Sequence, residues 1–418
     1  MQIFSLCLDD SVAVIIEQED KVSTQPQTEN VIKENLIDLE EQYQVATYKK
    51  FPFVVERGED VWVYTTTGER YLDLYGGHAV VSTGHSHPRV VRAISDQAAR
   101  LIFYSNLVYN DTRAGAARKL VDIAHPLHRK VFFCNSGTEA NENAIKIARK
   151  LSERDKVISF DGSFHGRTPG SLAATGLAKY REGISPMLAG HVYAPFNDLA
   201  AIERMIDDET AAVILEPIQS MGGARLGSPE FYRALRELCD RVNAMLIYDE
   251  VQTGMGRTGE YFFAGRYDVV PDMVTMAKGM ASGVPMGAVL VTEEIASEIK
   301  ISDLGTTFGG GPIACAALEA TIDVIRDERL LDNVRVNSEY LYTELGKLPM
   351  VEELRGLGYL VGIRFKGDSA RPYQQALLQR HIITGLADDA SVLRLLPPLT
   401  LKRAEIDLFL RELATMQF

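Results

Sequence analysis

The sequence predicts an α/β protein: a mostly parallel sheet covered by helices on both faces, followed by a smaller α+β domain. Three observations carry this. Between about 130 and 295, short β-rich runs alternate with helical patterns, which is the signature of strands joined by crossover helices. The residues best suited to chemistry stand at the carboxyl ends of those runs, where open α/β sheets bind ligands. After about 325 the alternation breaks and the pattern changes character.

In chain order, residues 1–30 form an extension whose polar stretch 18–30 reads as disordered. Residues 31–75 are expected to pack with the small domain, with Val61–Tyr64 and Tyr71–Leu74 as a short hairpin. The large domain covers 76–325. Its expected strands are Val131–Cys134, Val157–Phe160, Ala211–Leu215, Ala244–Tyr248, Met273–Ala277 and Met286–Val291. One helix is plain: Ala140, Ala144, Ile147, Ala148 and Leu151 fall on a single stripe between Thr138 and Glu153. The small domain, 326–418, holds a helix over Leu330–Leu348, a strand Leu360–Phe365, a helix around Pro372–Arg380, a strand Val392–Leu395 and a terminal helix. A chain of 418 residues exceeds the size of a usual single core, so two domains are expected.

Bulk composition narrows the partners. A net charge of −13 argues against nucleic acid and anionic membranes, which call for basic patches. No apolar stretch reaches the ~18 residues a membrane helix needs, and Asp9 and Asp10 interrupt the apolar N-terminus, so no signal peptide is expected. The four cysteines (Cys7, Cys134, Cys239 and Cys315) are far apart and form no CxxC pair. They read as reduced thiols of a cytoplasmic protein, not a disulfide frame or a zinc site. His125 and His128 flank Pro126, which does not suit a helical metal pair, and no metal site is expected.

The chemistry starts at two strand ends. The run Ala244–Tyr248 ends in Asp249-Glu250-Val251-Gln252, and Met273–Ala277 ends in Lys278-Gly279. An amine beside a carboxylate suggests a pyridoxal phosphate site. That cofactor needs an amine for its Schiff base and an anion beside its pyridine nitrogen. Asn135-Ser136-Gly137-Thr138-Glu139 joins a strand to the plain helix, and a small turn at a helix N-terminus suits a phosphate. Its bland alternative is a cap by Ser136 or Thr138. In Ser163-Phe164-His165-Gly166-Arg167-Thr168, Phe164 can stack on a flat ring and Arg167 can clamp a carboxylate. Singly, such residues are more often core and surface ion pair. Glu216-Pro217-Ile218-Gln219 ends another strand, and its acid can equally be structural.

Taken together these motifs resemble the class III aminotransferases of the fold-type I pyridoxal phosphate family. NSGTEAN at 135–141, SFHGRT at 163–168, EPIQ at 216–219, DEVQTGMGRTG at 249–259, AKG at 277–279, TTFGG at 306–310 and RLLPPLT at 394–400 agree in order and spacing. Their wording is most similar to the acetylornithine and ornithine branch. The resemblance implies that Lys278 holds the cofactor and then serves as base, and that Asp249 pairs with the pyridinium nitrogen. Gln252 lies near the ring hydroxyl, Phe164 stacks on the ring, and Ser136, Gly137 and Thr138 bind the phosphate, with Glu216 in the same site. Thr307 reaches the phosphate of a neighbouring subunit and Thr306 its substrate, which implies a homodimer with shared sites. Arg167 and Arg394 hold substrate carboxylates.

Several positions depart from that pattern. Met221 stands where ornithine-type relatives carry a glutamate that neutralises the arginine matching Arg394, so Arg394 is expected to stay uncompensated. His78 stands at the substrate gate, as a pocket-lining residue or a packed histidine. Gly311 and Leu304 replace the usual Asn and His beside the intersubunit loop. The expected activity is a ping-pong transfer of the terminal amino group of an N-acylated diamino acid, N-acetylornithine first, to 2-oxoglutarate. GABA, ornithine and diaminobutyrate are the next donors. An aminomutase on the same fold and a catalytically idle cofactor-binding subunit are the competing classes.

Overall fold

In the central seven-stranded sheet, the strands Thr210–Leu215 and Met245–Asp249 are almost wholly apolar along their length. A strand covered by helices on both faces has no solvent side to mark with polar residues. The computed structural model describes residues 35–416 and Phe418. The expected disorder over 1–30 and the thiol of Cys7 lie outside the described residues. Two units are distinguished, Met1–Val55 and Glu56–Phe418. In the first, the helix Leu36–Tyr43 is capped by the Asn35 side chain, which accepts from Ile37 N at 3.1 Å.

In the second unit the large sheet runs in the order His128–Cys134, Gly287–Thr292, Met273–Met276, Met245–Asp249, Thr210–Leu215, Lys156–Phe160, His191–Ala194. All neighbours are parallel except Gly287–Thr292, which is antiparallel to both of its partners. The six expected strands are present. The seventh, His191–Ala194, lies at the edge beyond Lys156–Phe160. The expected helix is Gly137–Ser152, packed by Ala140, Ala144, Ile147 and Ala148. It crosses from the strand His128–Cys134 with Ser136 as its cap.

Toward the C-terminus, Val351–Leu357, Leu360–Phe365, Val392–Leu395 and Gly385–Leu386 form an antiparallel sheet. The helices Leu330–Leu345, Arg371–Gln379 and Arg403–Ala414 accompany it. The hairpin Trp62–Thr65 and Arg70–Asp73 is joined by Ile382–Ile383, parallel to Arg70–Asp73. This places Tyr75 and the turn after it next to Gly385 and Arg394. Among the described residues no helix is long and apolar enough to cross a membrane.

Candidate active site

Parallel pairing of Met245–Asp249 with Met273–Met276 sets Asp249 opposite Thr275, three residues before Lys278. The acid and the amine thus emerge at the same sheet edge. Lys278 begins the short helical turn Lys278–Ala281 with φ +45, a left-handed backbone that a residue bearing Cβ adopts only under constraint. Both residues line one pocket of about 240 Å³, together with Ser136, Gly137, Thr138, Phe164, Arg167, Glu216 and Gln252. Sequence positions 136 to 278 therefore converge on a single cavity.

Asp249 is 3% exposed and fully engaged. Its Oδ2 accepts from Asn141 Nδ2 at 2.7 Å and lies 2.8 Å from His165 Nδ1. Oδ1 accepts from Val251 N at 3.1 Å. Asn141 is oriented in turn by Thr275, whose hydroxyl donates to Asn141 Oδ1 at 2.6 Å, and by His165 O, which accepts from Nδ2 at 2.7 Å. An aspartate with this many donors is held in one rotamer as a preorganised anion. Neither His165 nor Asn141 was singled out by sequence reasoning. The available signal was position: Asn141 stands one helical turn after Gly137 and shares its face.

Lys278 keeps a partial opening to the pocket. Burial lowers its pKa, Asp249 and Glu216 oppose that, and the positive charge of Arg394 reinforces it. Glu216 is pushed up to about 7 by burial, with Asp249 acting in the same direction and His165 against it. Its Oε1 accepts from Phe164 N at 2.8 Å and its Oε2 from Ser220 N at 3.3 Å, so it ties together two walls of the pocket.

At the phosphate-suited end, Ser136 does act as a helix cap, its Oγ accepting from Glu139 N at 3.2 Å. The Gly137 and Thr138 amides belong to the first turn, where the helix itself offers no acceptor. Thr138 Oγ1 lies 2.9 Å from Thr168 Oγ1. Gln252 Oε1 and His165 Nε2 are buried without a hydrogen-bond partner among the described residues. The Phe164 ring packs edge-on to Tyr180 at 5.2 Å, and the exposed Arg167 guanidinium lies 4.2 Å above the Tyr180 ring. Amine, braced anion, free helix-terminal amides and an orphan acceptor together suit a flat, phosphate-bearing carbonyl cofactor.

The remaining predicted residues, Arg394, His78, Thr306 and Thr307, are not among those lining this cavity. Arg394 is 1% exposed and its charge is felt at Lys278. Its partners are Leu386 O at 3.0 Å, Ser220 Oγ at 2.9 Å and Tyr75 OH at 2.6 Å. All are neutral, and Tyr75 and Ser220 are further residues that the sequence reading passed over. His78 meets Tyr75 edge-on at 4.7 Å, and burial, Arg394 and Lys278 lower its pKa. Thr306 Oγ1 accepts from Gly309 N at 3.0 Å and from Asn135 Nδ2 at 3.3 Å. Thr307 is exposed and outside the pocket.

Residues 43–416 match the family model for aminotransferase class-III. The chain is 43% identical over 378 residues to the acetylornithine aminotransferase of Methanopyrus kandleri, covering 90% of this chain and 97% of that protein. It is 39% identical to the succinylornithine transaminase/acetylornithine aminotransferase of Pseudomonas aeruginosa, over 88% and 93% of the two chains. Among solved structures it is similar to the ornithine aminotransferase of Toxoplasma gondii, with TM-score 0.85 and 30% identity over 91% and 92% of the chains. That structure is described as having partial occupancy of PLP at its active site.

Proposed function

This chain belongs to the class III aminotransferases, and on that premise we propose that it moves the terminal amino group of N-acetylornithine, or a related N-acylated diamino acid, to 2-oxoglutarate with pyridoxal phosphate. The observation that carries the reading is the convergence of a pKa-lowered lysine and a braced aspartate in one pocket. The substrate class rests on relatives about 40% identical that are named for acylated ornithines. When bound, the cofactor supplies a carbonyl that captures the donor amine and a ring that draws electrons from the carbon losing its proton.

The protein's share follows from its own groups. Lys278 would hold the cofactor, and its free amine would take the proton from the substrate carbon and return it. Burial lowers the pKa of this amine, which favours the neutral, proton-accepting form. Asp249 would pair with the ring nitrogen and favour its protonated form, while Asn141 and His165 hold its carboxylate in place. The Gly137 and Thr138 amides would hold the phosphate, with Ser136 fixing their helix. Phe164 would form a wall beside the ring, Glu216 fixes that wall, and Gln252 Oε1 would accept from the ring hydroxyl.

Arg167, at the exposed mouth, takes the distal carboxylate of either substrate. Arg394, close to Lys278, takes the carboxylate next to the reacting carbon of glutamate or 2-oxoglutarate. His78 borders the entrance, and Thr306 would approach the substrate of the second copy. Thr307, outside its own pocket, serves the cofactor phosphate of a second copy in a homodimer. The three described cysteines are buried and unpaired, which supports a reducing, cytoplasmic setting.

Mixing the cofactor-loaded, yellow protein with N-acetylornithine alone should bleach its colour, and 2-oxoglutarate should restore it. An unbleached protein would reject N-acetylornithine as donor. Lys278→Ala should abolish both half-reactions.

A further inference from the structure

Arg394 is a buried cation with no acidic partner among the described residues. Its three hydrogen bonds end on Leu386 O, Ser220 Oγ and Tyr75 OH. A charge in such a place is normally paired. Two of these partners are hydroxyls, and a hydroxyl that accepts from a guanidinium still has its own proton to give. Burial raises the pKa of Tyr75 although Arg394 pulls it down, so the phenol keeps that proton. Guanidinium and hydroxyls together form a donor set that an incoming carboxylate completes. An acidic side chain in the same place would offer only lone pairs and would repel the carboxylate until it moved away.

The seat of Tyr75 is built to hold it there. Its amide and that of Gly76 donate to Asp73 Oδ1, both at 2.9 Å. The next four residues, Gly76 to Ala79, all have positive φ, and a Cβ on Gly76 would sit 2.7 Å from Leu396 O. The ring lies close against Gly385, where a Cβ would come within 1.9 Å of Tyr75 Cε2. Gly385 has no positive φ to explain it; the close approach of the ring does. The next residue, Leu386, supplies the carbonyl for Arg394 Nε. One strand thus positions both the ring and the guanidinium.

We propose that Tyr75, with Ser220, is a specificity-determining residue: its hydroxyl completes with Arg394 a standing carboxylate site for substrates that carry a carboxylate beside the reacting carbon. The proposal rests on the reading that 2-oxoglutarate and glutamate are the second substrate pair. Selection then comes from a permanent donor set that needs no acidic side chain to swing away, and Met221, beside Ser220 on the pocket wall, leaves it open.

Tyr75→Phe keeps the ring on Gly385 and removes only the hydroxyl. The KM for 2-oxoglutarate, and for L-glutamate in the reverse half-reaction, should rise about tenfold while kcat changes less than twofold. The single-turnover rate with N-acetylornithine should fall by a smaller factor than these KM values rise. Ser220→Ala should act in the same direction with a smaller rise. Unchanged KM values in Tyr75→Phe, or an equal loss with both substrates, would overturn the proposal. A wild-type protein that transaminates N-acetylornithine yet uses neither glutamate nor 2-oxoglutarate would overturn the acceptor reading and this proposal with it.

Discussion

Asp249 owes its position to residues that are individually unremarkable in the sequence. Its carboxylate takes two side-chain partners and one amide, so replacing it with Asn removes the charge and places an amide against the Asn141 amide. The variant Asp249→Asn should retain the fold but lose about 10²–10³-fold in kcat, the usual scale for one preorganised electrostatic contact. Activity within tenfold of wild type would remove Asp249 from the proposed role. Met221 offers a gain-of-interaction counterpart. Met221→Glu puts an acid beside Ser220 and Arg394, and the KM for 2-oxoglutarate should increase by tenfold or more, because a side-chain carboxylate then competes for the guanidinium. At this scale the site was partly legible. Lys278, Asp249 and the turn at 135–139 announce themselves by standing at strand ends. His165, Asn141, Tyr75 and Ser220 do not, because their importance lies in which side chain they touch, and that depends on packing.

Secondary structure was legible where burial left a pattern. The strand Thr210–Leu215 shows as a short apolar run because it is covered on both faces. The edge strand His191–Ala194 is half-buried and short, with nothing to separate it from a loop. The helix Pro312–Asp327 was not singled out because Cys315, Ala317, Leu318, Ile322, Val324 and Ile325 bury more than one stripe of it. Polar elements can also be stapled by single acids, and Glu250 is one. Its oxygens accept from Phe263 N and Ala264 N, both at 2.7 Å, and from the Thr253 hydroxyl at 3.0 Å, fastening a loop to the end of Met245–Asp249.

Burial pushes Glu250 up from 4.5 to about 7. Between those pH values the folded chain keeps a proton that the unfolded chain has lost. The contribution is therefore full below pH about 4.5 and declines as pH rises to about 7. For a shift of this size the loss is on the order of 3 kcal/mol. Glu250→Gln should be less stable by a constant offset, since it has one acceptor oxygen instead of two, yet should lose this part of the slope. Thermal unfolding of both proteins from pH 4.5 to 8 separates offset from slope, and parallel curves would show that Glu250 does not titrate in this range.

Over the whole molecule, the active site of a single chain leaves one expected contributor unused. Thr307 is exposed, and the residues around it form an apolar surface: Tyr104, Leu107, Tyr109 and Phe308 are 52%, 90%, 106% and 65% exposed. The segment is not loose. Asn106 Nδ2 donates to Thr306 O and Gly309 O, Arg113 Nε donates to Gly310 O, and Phe103 packs on Phe308 at 5.2 Å. An ordered apolar rim of this kind is expected to be covered, and the proposed homodimer would cover it while carrying Thr307 to the second pocket. Each large side chain buried there contributes about 1.5–3 kcal/mol. The double variant Leu107→Glu, Tyr109→Glu should therefore shift the protein toward monomer by at least 100-fold in dissociation constant. Cofactor retention should fall with it, because Thr307 and the pocket would part, while a Lys278→Ala control should sediment as the dimer. Sedimentation velocity across a dilution series, read together with cofactor absorbance, measures both quantities on one sample. A wild-type chain that sediments as a monomer and still holds its cofactor would show that the pocket is complete within one copy, and Thr307 would then have no part in it.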